Sequence, residues 1–211
     1  MFDLELFIKS FGYIGLFSIV FAETGLAFGF FLPGDSLLFT AGILASQNFL
    51  NIFILCPVLF IAAVSGDSVG YWIGNKFGKR LFKQEDSLFF HKDHLVRAKN
   101  FYEKHGGKTV ILARFIPLIR TFAPIVAGMG GMNYRKFIVY NVVGGAIWAV
   151  GIPLAGFYLG KLIPDIDKYL LPIIALIVII SIVPAVIHIG KDKSKREQMM
   201  DSVKAFVFRK K

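Results

Sequence analysis

The sequence has little charge and almost no cysteine. Only 18% of its 211 residues are charged while 55% are hydrophobic, and the mean hydropathy is +0.64, which excludes an ordinary soluble domain. The single Cys56 cannot form an internal disulfide, and we expect it to be a packing residue. The sequence has no metal-ligand spacing, no nucleophile motif and no phosphate-binding glycine loop. We therefore predict a membrane protein that is not an enzyme and uses no cofactor or metal.

Long apolar runs make up most of the sequence. They lie at residues 10–46, 49–74, 109–130, 137–160 and 169–190, and each is near or above the ~20 residues that span the hydrocarbon core as a helix. The N-terminus carries Asp3 and Glu5 where a signal peptide has positive charge, so we interpret residues 10–27 as a retained first helix. We predict one all-α polytopic domain at residues 1–190 and a basic cytoplasmic tail at 191–211.

Basic residues indicate the topology. Segment 75–108 holds nine Lys and Arg and the tail holds eight, and short segments rich in these residues stay on the cytoplasmic side. Three apolar runs lie between the two clusters, so one of them must enter and leave by the same face. Both termini are then cytoplasmic.

The run 109–130 is the natural candidate for this re-entrant hairpin. Arg114 and Arg120 would each cost about 2.5–3.5 kcal/mol at the centre of a lipid-facing helix. Pro117 and Pro124 remove helix hydrogen bonds, so we expect both to be hairpin breaks. Broken backbone at membrane depth is tolerated only where protein or a water-filled cavity surrounds it.

An internal repeat relates the two halves of the chain. Residues 31–33 (FLP) recur as 115–117 (FIP), 41–42 (AG) as 127–128, and 70–74 (GYWIG) as 156–160 (GFYLG), at offsets of 84, 86 and 86. Each unit has a hairpin, at about 28–46 or 109–130, followed by one crossing helix, which makes the units inverted. In the first hairpin the break is at Pro33-Gly34. Inverted repeats with broken helices are common in secondary transporters, whose sites lie at the repeat interface.

Five acidic or arginine residues lie within the apolar runs, and such residues are usually functional: Glu23, Asp35, Asp67, Arg114 and Arg120. If the repeats face each other, the acids and the arginines meet near the midplane. We predict that Arg114 and Arg120 bind a lipid phosphate, because paired arginines hold phosphate through directed hydrogen bonds. Glu23 and Asp35 would exchange protons, since protonation stops a carboxylate competing for the arginines. Asp67 is a possible member, although it could equally cap a helix or hydrogen-bond a neighbour near the cytoplasmic face.

Simpler explanations remain open. The buried charges could form ion pairs that only specify packing. The glycines at 66, 70, 74 and 78 form a smooth ridge that could pack internally or make a homodimer. We expect the amphipathic segment at 94–105 and the basic tail to contact anionic lipid. The net charge of +10 could also indicate nucleic-acid binding. The basic clusters, however, adjoin the membrane spans and lack a binding motif, so we expect no nucleic-acid partner.

Three stretches resemble the DedA family, also called SNARE-associated or VTT-domain proteins. They are Glu23 with FLPGD at 31–35, GDSVGYWIGNKFGK at 66–79, and ARFIPLIRTFAPIVAGMGGMNYRKFIVYNVVGGAIW at 113–148. The resemblance implies that Glu23 and Asp35 are the family's essential membrane acids and that Arg114 and Arg120 are its paired arginines. Many members have glycine where this chain has Ala113 and Leu118, a departure that weakens any transfer of substrate identity.

The resemblance also implies lipid translocation. Members look like flippases for undecaprenyl phosphate or phosphatidylethanolamine, eukaryotic relatives scramble phospholipids, and the proton motive force is associated with the family. We therefore expect a multi-pass flippase of the cytoplasmic membrane that recycles undecaprenyl phosphate. The alternatives are a phospholipid flippase or scramblase, a proton or cation antiporter, and a membrane assembly factor.

Overall fold

A computed structural model describes residues 4–26, 34–81 and 106–163 of the chain. Within these ranges the regular structure is entirely helical, which confirms the predicted all-α class. The helices are α1 (Leu4–Gly25), α2 (Gly34–Ser46), α3 (Ile52–Leu81), α4 (Lys108–Ala113), α5 (Pro117–Met129), α6 (Tyr134–Gly145) and α7 (Gly151–Leu162), with a π-helical segment (Ala146–Val150) joining α6 to α7. The expected helix at 169–190, the amphipathic segment at 94–105, the tail and Pro33 lie outside the described residues.

Within the described residues, two continuous helices are long and apolar enough to cross a membrane, Ile52–Phe77 and Tyr134–Leu162. They correspond to the crossing helices expected at 49–74 and 137–160. Asparagine caps the start of each: the Phe53 amide donates to the Asn51 side chain at 2.9 Å, and the Arg135 amide donates to the Asn133 side chain at 2.9 Å. Such caps satisfy backbone donors that a helix leaves free at its N-terminus.

The helix expected at 10–27 is the apolar part of α1, Phe11–Gly25. A kink at Gly12 separates it from the first residues of α1, and Gly12 has a φ of +53°. Glycine adopts this backbone conformation without the steric cost that a Cβ would add.

The hairpin expected at 109–130 corresponds to α4, a turn and α5. Ile116 is extended, and α5 begins at Pro117, where the missing amide hydrogen costs nothing. Pro117 therefore marks the break, as expected. Pro124, however, lies inside the continuous helix α5, so its assignment as a hairpin break was wrong. Membrane helices tolerate an internal proline because neighbouring groups satisfy the freed carbonyl, and Pro124 packs beside Gly70 of α3.

The short helices pack on the long helices of the opposite half. Helix α2 lies along α7, α5 lies along α3, and α1 also packs on α3. Close approach depends on glycine. A Cβ added at Gly156 would collide with the Phe39 carbonyl, and one added at Gly74 would collide with the Ile125 carbonyl.

The described part of the glycine ridge on α3 is used for internal packing. Gly66 lies against α1, and Gly70 and Gly74 lie against α5. The main apolar core lies between α1, α2, α3 and the π segment, and Cys56 belongs to it as a buried free thiol. This arrangement surrounds the charged residues with packed helices.

Candidate functional site

The charged side chains are buried whereas their apolar neighbours are exposed. Arg114 and Arg120 are only 1% and 2% exposed, but Phe115 is 54% and Ile119 47% exposed on the same segment. A soluble protein has the opposite arrangement, with charge outside and large apolar groups inside. Surrounding lipid explains the pattern, because charged groups in a membrane turn toward the protein interior.

Arg120 is held by two carboxylates from two other helices. Its Nη1 donates to Asp35 Oδ1 of α2 at 2.7 Å, and its Nη2 donates to Glu23 Oε1 of α1. Trp148 completes the group: its Nε1 donates to the same Asp35 Oδ1 at 2.7 Å, and its ring centroid is 4.3 Å from the Arg120 guanidinium carbon. Cation–π contact of this kind is attractive, most of all where water is excluded.

Local backbone features explain how these side chains meet. Asp35 lies in the first turn of α2, where the helix dipole favours negative charge. Gly34 leaves room for Glu23, since an added Cβ would overlap the carboxyl group. Trp148 comes from the π-helical segment, and such bulges redirect side chains and are frequent at functional sites.

Arg114 belongs to a second group of buried polar side chains. Its Nη2 donates to Asp67 Oδ2 of α3 at 2.5 Å and to Asn141 Oδ1 of α6. Asn141 in turn donates from Nδ2 to the Val64 carbonyl at 3.0 Å. Gly144 makes room for the arginine, because an added Cβ would lie 2.9 Å from Arg114 Cδ.

Several charged atoms in these groups have no hydrogen-bond partner in the part of the chain that the structure describes. They include Nε and Nη1 of Arg114, Nε of Arg120, and the second carboxylate oxygens of Glu23 and Asp67. Arg114 thus uses only one of its three nitrogens. Since an unpaired buried donor costs about 1–3 kcal/mol, these guanidinium nitrogens are available to an additional acceptor.

The two groups act as one electrostatic unit. Arg120 interacts with both Arg114 and Asp67 across the gap between them. When all five side chains are ionised, the three carboxylates of Glu23, Asp35 and Asp67 and the two guanidinium groups leave a formal charge of −1. An incoming anion therefore meets arginines that are already neutralised.

The structure places the residues singled out from the sequence as follows. Arg120 meets Glu23 and Asp35, whereas Arg114 pairs with Asp67, which is an ion-pair partner and not a helix cap. Sequence reasoning missed Asn141 and Trp148. Asn141 is a polar side chain inside an apolar run, which is a usable signal in a membrane protein. For Trp148 the sequence carries no such signal.

Comparison with known proteins identifies the family. The family model described as VTT domain matches residues 32–158. Protein DedA of Escherichia coli K12 is 50% identical over 183 residues, which cover 86% of this chain and 83% of that protein. The chain belongs to the DedA family.

Two further relatives of this DedA-family chain are named as membrane proteins. An uncharacterised membrane protein of Mycobacterium tuberculosis H37Rv is 44% identical over 179 residues, covering 84% of this chain and 78% of the relative. The inner membrane protein YqjA of E. coli K12 is 33% identical over 178 residues, covering 78% and 79%. No solved structure matches the chain. These relatives confirm that the chain is a membrane protein.

Proposed function

We propose that the protein is a proton-coupled flippase that returns undecaprenyl phosphate across the cytoplasmic membrane. Arg114 and Arg120 bind the lipid phosphate, and Glu23 and Asp35 exchange protons or release the arginines. The observation that carries the proposal is Arg120, 2% exposed and bridged to carboxylates from two other helices. A site of this kind binds an anion when its own carboxylates no longer accept hydrogen bonds from the arginine.

The proposal includes an architecture of two inverted repeats. We infer that 28–46 and 109–130 are re-entrant hairpins and that both termini are cytoplasmic. Two features support this: the equivalent arms α2 and α5 each pack on the long helix of the other half, and α4 and α5 contribute Val110 and Ala127 to one apolar cluster, so the two arms return to the same region. Inverted repeats place a transport site at their interface.

Proton coupling follows from the competition for Arg120. While Asp35 and Glu23 accept from Nη1 and Nη2 of Arg120, a phosphate has to compete with two carboxylates that already balance the guanidinium charge. A protonated carboxyl group binds the guanidinium far more weakly than a carboxylate does. Protonation therefore opens the arginine to phosphate, and deprotonation on the other side expels the lipid.

Arg114 supplies the second contact. It is anchored through Nη2 alone, by Asp67 and Asn141, and its Nε and Nη1 have no partner. Anchoring from α3 and α6 holds the guanidinium group in place without using its other donors. Arginine suits this task better than lysine because its donors are planar and fixed in direction.

The test is translocation of undecaprenyl phosphate in proteoliposomes. We expect Arg114→Ala and Arg120→Ala each to abolish transport in protein that remains folded. Arg135→Ala is the matched control, since Arg135 is exposed at the start of α6, and it should transport normally. Transport that survives loss of either buried arginine would contradict the proposal.

The same vesicles separate the other candidates. Transport of phosphatidylethanolamine alone would make the protein a phospholipid flippase, and ion flux without any undecaprenyl phosphate would make it an antiporter. If the charges served only packing, exchanging Glu23 and Arg120 for one another should restore activity. We expect this exchanged variant to remain inactive, because it removes the arginine from the position that faces Asp35 and Trp148.

The basic segments complete the proposal. We place 75–108 and 191–211 at the cytoplasmic surface, where anionic lipids attract Lys and Arg. A homodimer also stays a prediction, and it would need a surface other than Gly66, Gly70 and Gly74, which pack internally.

A further inference from the structure

The two acids that hold Arg120 have unequal surroundings. Asp35 Oδ1 accepts from both Arg120 Nη1 and Trp148 Nε1, each at 2.7 Å, and its side chain is 22% exposed. Glu23 accepts from Arg120 Nη2, with a further contact from the Gly34 backbone, and its side chain is only 1% exposed. Solvent contact and side-chain donors stabilise a carboxylate, whereas burial away from solvent disfavours one, and the larger difference between the two acids is in their contact with solvent.

Other charges near Glu23 do not reverse this difference. The charged groups that face it are Arg120 of α5 and Asp35 of α2. The Asp35 charge repels a charge on Glu23, so this repulsion disappears when one of the two acids is neutral. Asp67 of α3 interacts with Arg114 and Arg120. The N-terminus of α2 lies beside both Glu23 and Asp35, so its dipole favours neither acid over the other.

We propose that Trp148 fixes Asp35 as the permanent counter-ion of Arg120, and that Glu23 is the acid that takes up the transported proton. Trp148 is then a positioning residue. Its indole N–H donates to the Asp35 carboxylate and its ring contacts the guanidinium group. Arg120 therefore keeps one carboxylate partner when the bond to Glu23 is lost. The inference deepens the proposed function, because it assigns the proton to one carboxyl group of the same site.

The arrangement predicts an ordered exchange. A proton reaches Glu23, which stops accepting a charged hydrogen bond from Arg120 Nη2, and that nitrogen becomes free for a phosphate oxygen. Arg120 Nη1 stays on Asp35 throughout. The reverse step returns the proton from Glu23 and restores the ion pair, so the net charge of the site changes by the one proton carried.

The chain offers a direct reporter of this step. Its two tryptophans are Trp72 and Trp148; Trp72 is 54% exposed and Trp148 is 1% exposed. In a Trp72→Phe background, fluorescence comes from Trp148 alone, and indole emission responds to a change of charge on adjacent groups. The experiment is a pH titration of this emission in detergent, without lipid substrate or gradient.

We expect one emission transition in the Trp72→Phe reference. Glu23→Gln should abolish it, whereas Asp35→Asn should retain it with a changed intensity. Asp67→Asn is the control and should also retain it. A transition that survives Glu23→Gln, is lost in Asp35→Asn, or is missing from the reference would overturn the assignment.

Folding is checked separately so that a damaged variant does not decide the result. Each protein must elute as one species and keep its helical circular dichroism. Glu23→Asp keeps a titratable group and should retain a transition, although at a different pH. Infrared difference spectra of the otherwise native chain give a second measurement: the contribution of Glu23 to the protonated-carboxyl signal should be missing in Glu23→Gln and remain in Asp35→Asn.

Trp148 is tested by removing only its N–H. Trp148→Phe keeps an aromatic ring against Arg120 but no longer donates to Asp35, so Arg120 loses its fixed partner and the pH profile of transport should change. Trp72→Phe is the matched control with an unchanged profile. An unchanged profile in Trp148→Phe would contradict the positioning role.

The two proposals fail in different ways. The fluorescence titration needs no transport, so a wrong pattern overturns the assignment of Glu23 alone. Absence of lipid transport by native protein that shows the expected titration would overturn the proposed function alone.

Discussion

Single residues set how closely the buried charges can approach the backbone, and Gly144 is a clear case. Arg114 Cδ would lie 2.9 Å from a Cβ at this position, and the Ile111 Cα would lie 3.3 Å from it. A side chain at residue 144 would therefore force a shift of the arginine, which now contacts both Asp67 and Asn141. Gly151, further along the same crossing, has nothing within 4 Å of an added Cβ.

This contrast gives a matched pair of substitutions. We expect Gly144→Ala to displace Arg114 and reduce transport by at least tenfold, with a loss of about 1–3 kcal/mol of stability from overpacking. Gly151→Ala should transport normally and be as stable or slightly more stable, because alanine favours helix over glycine. Proteoliposome transport and thermal unfolding in detergent measure both effects. Equal behaviour of the two variants would contradict the described contact.

The sequence predicts which charged side chains lie within the membrane domain better than it predicts how they pair. Charge inside apolar runs was sufficient to select Glu23, Asp35, Arg114 and Arg120, because lipid makes such charge costly. Their pairing depends on helix contacts between distant segments, so Asp67 could not be joined to Arg114 from spacing alone. Trp148 was hidden for a similar reason: a tryptophan in an apolar run is ordinary, and only the π segment turns it toward Asp35.

Individual helices meet at glycines, and the contact of α3 with α5 illustrates the requirement. A Cβ at Gly74 would collide with the backbone carbonyl of Ile125, whereas a Cβ at Gly70 would stand at an ordinary 3.4 Å from Pro124 Cβ. Backbone cannot move aside as a flexible side chain can. The two positions lie one turn apart on the same face of α3.

We therefore expect Gly74→Ala to lower the stability by about 1–3 kcal/mol and Gly70→Ala to change it by less than about 0.5 kcal/mol. Because α5 carries Arg120, Gly74→Ala should also impair transport. Thermal unfolding of the purified proteins compares the two. A Gly74→Ala protein that is as stable as Gly70→Ala would show that α5 does not lie against α3 as described.

One of the two prolines in this segment marks a helix boundary, as predicted, and the other does not. Pro117 begins α5, in agreement with its missing amide hydrogen, but Pro124 lies inside the same helix. Sequence alone could not distinguish them, since a proline in an apolar run can either begin a helix or lie within one. The difference arises from packing, because Pro124 sits beside Gly70 of α3.

At the scale of the whole molecule, composition and apolar run length predicted the helical class and the two long apolar helices found among the described residues. Charge and proline within an apolar run predicted the interruption between α4 and α5. The pairing of α2 with α7 and of α5 with α3 was not derivable from local pattern. It reflects tertiary contact between the halves, for which the repeat at offsets near 86 residues was only an indirect indication.

The proposed orientation can be checked with single cysteines in a Cys56→Ala background. Lys76 near the end of α3 and Lys161 near the end of α7 are both exposed. If 109–130 is re-entrant, Lys76→Cys is cytoplasmic and Lys161→Cys lies on the opposite face. We expect an impermeant thiol reagent to label Lys161→Cys in intact cells, and Lys76→Cys only after permeabilisation. Labelling of both from one face would mean that 109–130 crosses the membrane.

The most direct test of the central claim compares two lipids that differ only in the phosphate. Native protein in proteoliposomes with a pH gradient should translocate undecaprenyl phosphate and leave undecaprenol where it is, because Arg114 and Arg120 recognise the phosphate. Removing the gradient should slow the transport of the phosphate lipid. Equal movement of both lipids, or of neither by folded native protein, would contradict the account.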